Sequence, residues 1–247
     1  MRGTAGWTGS LAAGRCGRIG LEILKNKQYG ADQYLGEDDI ADLKFLRGMV
    51  RFLPPKEVLL YTPELGPLLL YTDASYEQGT DATPGVGWVL IEEGRTTEGR
   101  TLLLSERTVS SWQVRDQQIF PAESFVPLVA MNWHMERLRG RDVFLFIDNE
   151  AAVAAHIRCG TSAADVRTMI HAFHWQLQTA GVRVWIEWID SDSNPSDGLS
   201  RLGCEDPWTV QQGWSLAEIP SEFPERLLGF REALERTLEE ICMWEIE

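Results

Sequence analysis

The chain predicts an α/β fold: a mixed five-stranded sheet, with three strands in an antiparallel meander and two parallel, flanked by helices. Three observations carry this expectation. Short apolar runs at 68–72, 85–92 and 101–104 follow one another with little but turn-forming residues between them, as strands of a meander do. From residue 121 onward, stretches with helical spacing alternate with apolar runs at 143–147 and 182–189, the order produced by parallel strands and their crossovers. Finally, 44% of the 247 residues are apolar, enough to bury a core.

Residues 1–35 are expected to form a poorly ordered segment. The first twenty are Gly-rich, carry Arg2, Arg15 and Arg18, and lack the continuous apolar stretch of a secretory signal. Residues 36–65 read as a helical connector. Within it Ile40, Leu43, Leu46, Met49 and Val50 recur at helical spacing over 38–52, Asp38 or Asp39 can cap the start, and Pro54-Pro55 stops the helix.

A domain is expected over 66–203. Its first run ends in Asp73. After the meander, Phe125, Leu128, Val129, Trp133, Met135 and Leu138 mark an apolar helix side over 121–139, closed by Gly140. Pro127 inside that stretch argues for a helix start near Glu123, or a kink. A strand at 143–147 is followed by helices at 150–157 and 165–180, the second closed by Gly181. A strand at 182–189 and a last helix at 195–202 complete the domain. Trp185 and Trp188 point to opposite sheet faces and read as core and edge packing. His171 and His174, one helical turn apart, have no acid or Cys partner in sequence and read as a helix face, not a metal site. Residues 204–247 form an acidic tail with a helix expected over 224–244. Its stripe of Leu227, Phe230, Leu234, Leu238 and Ile241 is expected to dock on the chain itself.

Charge limits the partners. The formal net charge is −14, so the surface as a whole repels nucleic acid. Any nuclease reading needs a local basic patch, bound metal ions, or a partner such as a polymerase domain that supplies basic surface. Arg137, Arg139 and Arg141 are open to two readings, a nucleic-acid contact or a complement to a helix dipole. The four cysteines form no C-x-x-C pair and read as free thiols in an intracellular compartment, cytoplasmic or nuclear. No apolar run approaches the ~20 residues of a membrane span, so no membrane partner is expected.

Against that background four acids stand out. Asp73 and Asp148 each end an apolar strand, Glu123 opens a helix, and Asp197 follows Asn194-Pro195-Ser196 at the start of another. Acids at the mouths of buried strands repel one another and cannot all stay ionised without cations. Two Mg²⁺ ions about 4 Å apart would neutralise them and clamp a phosphodiester. Mg²⁺ takes carboxylate and water oxygens and needs no His or Cys, and Mn²⁺ is a possible substitute.

Five segments carry a resemblance: Tyr71-Thr72-Asp73-Ala74-Ser75; Gly85-Val86-Gly87-Trp88; Ala122-Glu123-Ser124; Leu138-Arg139-Gly140-Arg141-Asp142-Val143 leading into Ile147-Asp148-Asn149-Glu150-Ala151-Ala152-Val153; and Ser193-Asn194-Pro195-Ser196-Asp197-Gly198-Leu199-Ser200-Arg201. In that order they resemble the ribonuclease H domain of retroelement reverse transcriptases, of the gypsy and DIRS types, over about residues 66–203.

The resemblance implies a ribonuclease H-like fold and hydrolysis of the RNA strand of RNA–DNA hybrids. It implies Asp73, Glu123, Asp148 and Asp197 as metal ligands and catalytic residues, with Asp73 bridging both ions. It also implies substrate contacts from Ser75, Asn149 and Arg158. The sequence departs from the family pattern in three places. The loop at 190–193 lacks a His, Ser196 stands where Ala is usual, and Pro127 lies within the first catalytic helix. No Y-x-D-D-type polymerase site precedes the domain, and 38–67 loosely resembles the connector that joins a polymerase thumb to its ribonuclease H. Two other readings stay open: a catalytically silent ribonuclease H-like module, and an integrase-like DNA nuclease.

Overall fold

The structure is a computed structural model and describes residues 27–29, 34–52, 65–76 and 84–229. The expectations on 1–26, on Pro54-Pro55 and on the apolar stripe beyond Gly229 lie outside the described residues.

Helix α1 (Glu37–Phe52) precedes the meander of β1 (Leu68–Ser75), β2 (Gly85–Ile91) and β3 (Glu98–Leu103). Short α2 (Glu106–Ser110) leads to α3 (Ile119–Trp133) and α4 (Met135–Leu138). Then come β4 (Asp142–Ile147), α5 (Glu150–Arg158), α6 (Ala164–Thr179), β5 (Arg183–Trp188) and α7 (Asp197–Leu202). Helix α8 (Pro207–Gln211), β6 (Ser215–Glu218) and α9 (Glu222–Glu225) follow.

The strand order is β5-β4-β1-β2-β3-β6. β1–β2 and β2–β3 are antiparallel, whereas β1–β4 and β4–β5 are parallel. This is the expected mixed sheet of an antiparallel meander and two parallel strands, with six strands instead of five. The sixth, β6, pairs in parallel with β3, from Glu98↔Ser215 to Thr101↔Glu218. Its Ser-Leu-Ala-Glu sequence is short and largely exposed, so it carries no apolar pattern. Backbone bonds from Ser215 N to Thr97 O (2.9 Å) and from Ile219 N to Thr101 O (2.8 Å) place it, and Arg100 Nη1 donates to Ser215 O.

One core fills the space between the sheet and α3 with α6. Leu68, Leu70, Trp88, Leu90 and Leu145 from the strands meet Phe125, Val129 and Phe173 from the helices. Helix α1 docks on α6 through Phe45, which stacks on His171 at 4.7 Å, and through buried Asp42, paired with Arg167 at 2.8 Å. His174 Nε2 lies 2.9 Å from His156 O. His171 and His174 therefore belong to a packed helix face.

Three local expectations are corrected. Helix α3 starts at Ile119, four residues before Glu123, and runs unbroken through Pro127 to Trp133. Pro121 sits in the first turn, where backbone N–H groups have no intrahelical partner, and so does not oppose an early start. Trp185 and Trp188 are 57% and 43% exposed, so neither is core. Arg141 donates to Glu92 (2.9 Å) and to Gly66 O (2.9 Å). Arg137 donates to Glu92 (2.7 Å) and to Glu98. Both guanidinium groups are engaged by the hairpin of β2 and β3, while Arg139 stays exposed, 4.0 Å from Glu136.

Helix α7 covers the other sheet face over β1, β2 and β3. Glycines make this approach possible. A Cβ on Gly87 would lie 2.6 Å from Ser200 N and 2.8 Å from Leu199 C, and one on Gly85 would lie 2.1 Å from Ser200 O. Thr101 Oγ1 donates to Leu199 O (2.7 Å) and fixes the same contact from β3. Gly87→Ala is expected to destabilise the fold by about 1–3 kcal/mol through overpacking, lowering Tm by ~2–4 °C per kcal/mol. Thermal unfolding checks this, and an unchanged Tm would show that α7 is free to lift from β2.

Candidate metal centre

The site is built from strand register. β1 and β4 are parallel neighbours with Thr72 opposite Ile147, so the next residues, Asp73 and Asp148, emerge side by side at the same sheet end. Helix α3 packs against β1 and brings Glu123 to the same point. Ala74 N donates to Glu123 Oε1 at 3.2 Å. Ligand atoms of Asp73, Glu123 and Asp148 all lie within 4.8 Å of one another, the only such group of three among the described residues.

Asp73 and Glu123 are 2% and 3% exposed, and Asp148 is half-buried. Hydrogen bonds anchor the two aspartates. Ser200 Oγ donates to Asp73 Oδ2, Ser191 Oγ donates to Asp148 Oδ2 at 3.0 Å, and Trp188 Nε1 donates to the Asp148 carbonyl at 2.9 Å. Glu123 Oε2 is buried with no hydrogen-bond partner.

The electrostatics follow from this crowding. Burial, then the Asp148 charge, push the Asp73 carboxyl up to about 8, against the opposing Ser200 hydrogen bond; Asp197 adds to the upward push. Glu123 is raised well above the ordinary glutamate range, by burial first and then by Asp73 and Asp148.

Asp197 stands outside the three-acid group. It opens α7, and its carboxylate accepts from Arg201 Nε at 2.8 Å. The Asp197 hydrogen bond raises the Arg201 pKa, and the charges of Asp73 and Asp148 act in the same direction. The fourth acid thus sits at the rim, near enough to Asp73 to be felt, with a cation of its own.

Of the three residues expected to contact substrate, Ser75 and Asn149 lie close in sequence to Asp73 and Asp148, whereas Arg158 lies at the far end of α5. Ser75 Oγ donates to Ser200 O at 2.7 Å, and Asn149 caps α5 by accepting from Ala152 N at 3.0 Å. Arg158 is exposed at the last residue of α5. It lines an open groove with Glu150, Val153, Ala154, Ile157 and Trp188. The loop after β5 forms a short turn, Ser191–Ser193, whose Ser191 reaches Asp148.

The sequence assigned no site role to Ser191 or Ser200 and gave Trp188 a packing role only. Only Ser200 carried a signal, as part of the Asp-Gly-Leu-Ser-Arg run.

The donor set fits a divalent cation. Three convergent carboxylates, two of them buried and raised in pKa, offer hard oxygen ligands, and the orphaned Glu123 Oε2 lacks the partner that a buried acceptor requires. Magnesium and manganese both suit such oxygens.

No family model matches this chain, and no curated protein matches it. Solved structures do. One is an RNase H1 from the halophilic archaeon Halobacterium salinarum NRC-1. It is 18% identical, over 57% of this chain and 99% of that one, with a TM-score of 0.41. A second is an N-terminal RNase H domain from Mycobacterium tuberculosis, fused to maltose-binding protein. It is 12% identical, over 60% and 98%, with a TM-score of 0.43. A third is a foamy viral protease-reverse transcriptase in complex with an RNA/DNA hybrid. It is 14% identical, over 74% of this chain and 28% of that one, with a TM-score of 0.41. At these values none of the likenesses bears on chemistry, which is read from the acids themselves. No helix among the described residues is long and apolar enough to cross a membrane.

Proposed function

We propose that this chain is a divalent-metal-dependent endonuclease that hydrolyses the RNA strand of RNA–DNA hybrids, of the kind borne by retroelement reverse transcriptases. One observation carries the reading: three carboxylates from three separate elements converge in a largely buried pocket, at a cost that a bound cation offsets. Asp73, Glu123 and Asp148 would hold the ions, with Asp197 completing the set from the rim. When bound, a pair of Mg²⁺ ions supplies Lewis acidity at the phosphodiester and a water made acidic near neutral pH.

The chain's own residues do the rest. Ser191 and Trp188 hold Asp148 and its backbone, and Arg201 holds Asp197. Arg158, at the end of α5, would meet a phosphate. Asn149 and the backbone near Ser75 flank the acids, where they can reach the 2′-hydroxyls that mark an RNA strand. Arg137 and Arg141 are engaged by Glu92 and Glu98, and the formal net charge of −14 opposes a polyanion. A basic partner, such as a polymerase domain, would supply cationic surface.

The test uses labelled RNA–DNA hybrid, duplex RNA and duplex DNA with the full chain in Mg²⁺, beside Asp148→Asn. Hybrid-only cleavage lost in the variant is the expected result. Cleavage of duplex DNA would assign an integrase-like activity instead. Neither cleavage nor metal binding would leave a silent module of this fold.

A further inference from the structure

Ser200 is buried on α7 and lies over Asp73 of β1. Its Oγ donates to Asp73 Oδ2 and also lies 2.9 Å from Asp197 O. A serine hydroxyl carries a single proton, so it can serve one of these acceptors at a time, and once a bound cation keeps Asp73 ionised its carboxylate is the stronger acceptor.

The backbone around this hydroxyl is fixed on every side. Ser75 Oγ donates to the Ser200 carbonyl at 2.7 Å, so the tie between β1 and α7 runs in both directions. Asn194 Nδ2 donates to Thr72 O at 3.1 Å and clamps the loop before α7 to the residue preceding Asp73. Ser196 Oγ donates to Asn194 Oδ1 at 2.6 Å and holds that side chain in place. Below, Gly85 and Gly87 leave no gap through which α7 could shift toward β2. A hydroxyl held this firmly against one carboxylate oxygen does more than satisfy its own hydrogen bond.

We propose that Ser200 is a positioning residue of the metal centre. By holding Oδ2 it sets the Asp73 carboxylate in the orientation that faces Glu123 and Asp148, and so preorganises the site for a cation. The inference rests on the metal-dependent reading above and deepens it. It places the link between the fourth acid's helix and the central acid in the Ser200 hydroxyl, not in Asp197. Partners that orient a ligand act on metal affinity itself, typically by about 10–100-fold.

The experiment measures Mn²⁺ dissociation constants at fixed pH on the full-length chain by titration calorimetry and Mn²⁺ electron spin resonance, with far-UV circular dichroism as the fold control. Ser200→Ala is expected to weaken Mn²⁺ binding by about tenfold or more. Because a buried Ala could also loosen α7, Ser200→Thr and Ser200→Val serve as a second pair. They share a shape and differ in the hydroxyl. The Thr variant is expected to bind at least tenfold more tightly than the Val variant at matched helicity. Equal affinity within that pair, or parent-like affinity in Ser200→Ala, overturns the proposal while leaving the metal centre standing. A parent chain that binds no Mn²⁺ removes both this inference and the nuclease reading.

Discussion

Glu123→Gln is expected to separate stability from activity, raising the first and abolishing the second. In the metal-free chain Glu123 is almost fully buried. One of its oxygens is unpartnered, and its pKa is driven up by burial and by two neighbouring acids. Glutamine keeps the carbonyl oxygen that accepts from Ala74 N and removes a group whose ionised form the pocket disfavours. It also replaces the orphaned oxygen with an N–H donor facing two carboxylates. A gain of about 1–3 kcal/mol follows, read as a rise in Tm of several degrees in EDTA at neutral pH.

The same change deletes a ligand of the proposed metal centre. Hybrid cleavage should drop by at least ~10³-fold, about 4 kcal/mol of barrier. The sign of the Tm change is the sharp part. A ligand acid retained for function at the expense of folding must give a more stable apo protein when neutralised. A Tm that falls would mean Glu123 is there for structure. Activity within tenfold of the parent would place the chemistry elsewhere.

Much of this site was legible in the sequence because its acids sit at pattern boundaries. Asp73 and Asp148 each close an apolar run, and parallel neighbours joined by a crossover bring such run ends together. The meander and crossovers were visible for the same reason, as buried strands write themselves in Leu, Val and Ile. What stayed hidden lacks any periodic signal. Strand β6 is four mostly exposed residues held by backbone bonds to β3. The start of α3 was obscured by Pro127, which reads as a breaker although the helix accommodates it.

The engagement of Arg137 and Arg141 by Glu92 and Glu98 joins residues about forty positions apart, which no local spacing reveals. The rim position of Asp197 was hidden too, because its ion pair with Arg201 is a helical i, i+4 contact that competes with the pocket for the same carboxylate.

The second large effect is on pH dependence, and its sign is set by Asp73. In the unfolded chain this carboxyl titrates near its ordinary value of 3.8; in the folded, metal-free chain it titrates near 8. Below about pH 4 it is protonated in both states and costs the fold nothing. As pH rises the unfolded form ionises while the folded form holds its proton, and stability is lost at ~1.4 kcal/mol per pH unit until about pH 8. Glu123, also raised, adds to the loss.

Other acids work in the opposite sense. Although burial raises them, Glu92 is held low by Arg141 and Arg137, and Asp165 by Arg115; their contributions are lost only in strong acid. Burial also holds the His134 and His156 imidazoles down to about 3, so each stays neutral in the fold, and the stability this costs is regained as pH rises to the ordinary histidine value of 6.5. Only the interval from about pH 7 to 8 therefore isolates the site. In EDTA, Tm should fall across it, and in Asp73→Asn the slope should flatten. Saturating Mg²⁺ stabilises by ~2.7 kcal/mol at a hundredfold excess over Kd. It should restore Tm in the parent far more at pH 8 than at pH 5, where protons compete for the ligand oxygens. Calorimetric scans across that range, with and without Mg²⁺, decide it. A parent Tm independent of pH between about 7 and 8 in EDTA would mean that the folded acids titrate as free ones, and the electrostatic reason for a cation at this site would be gone.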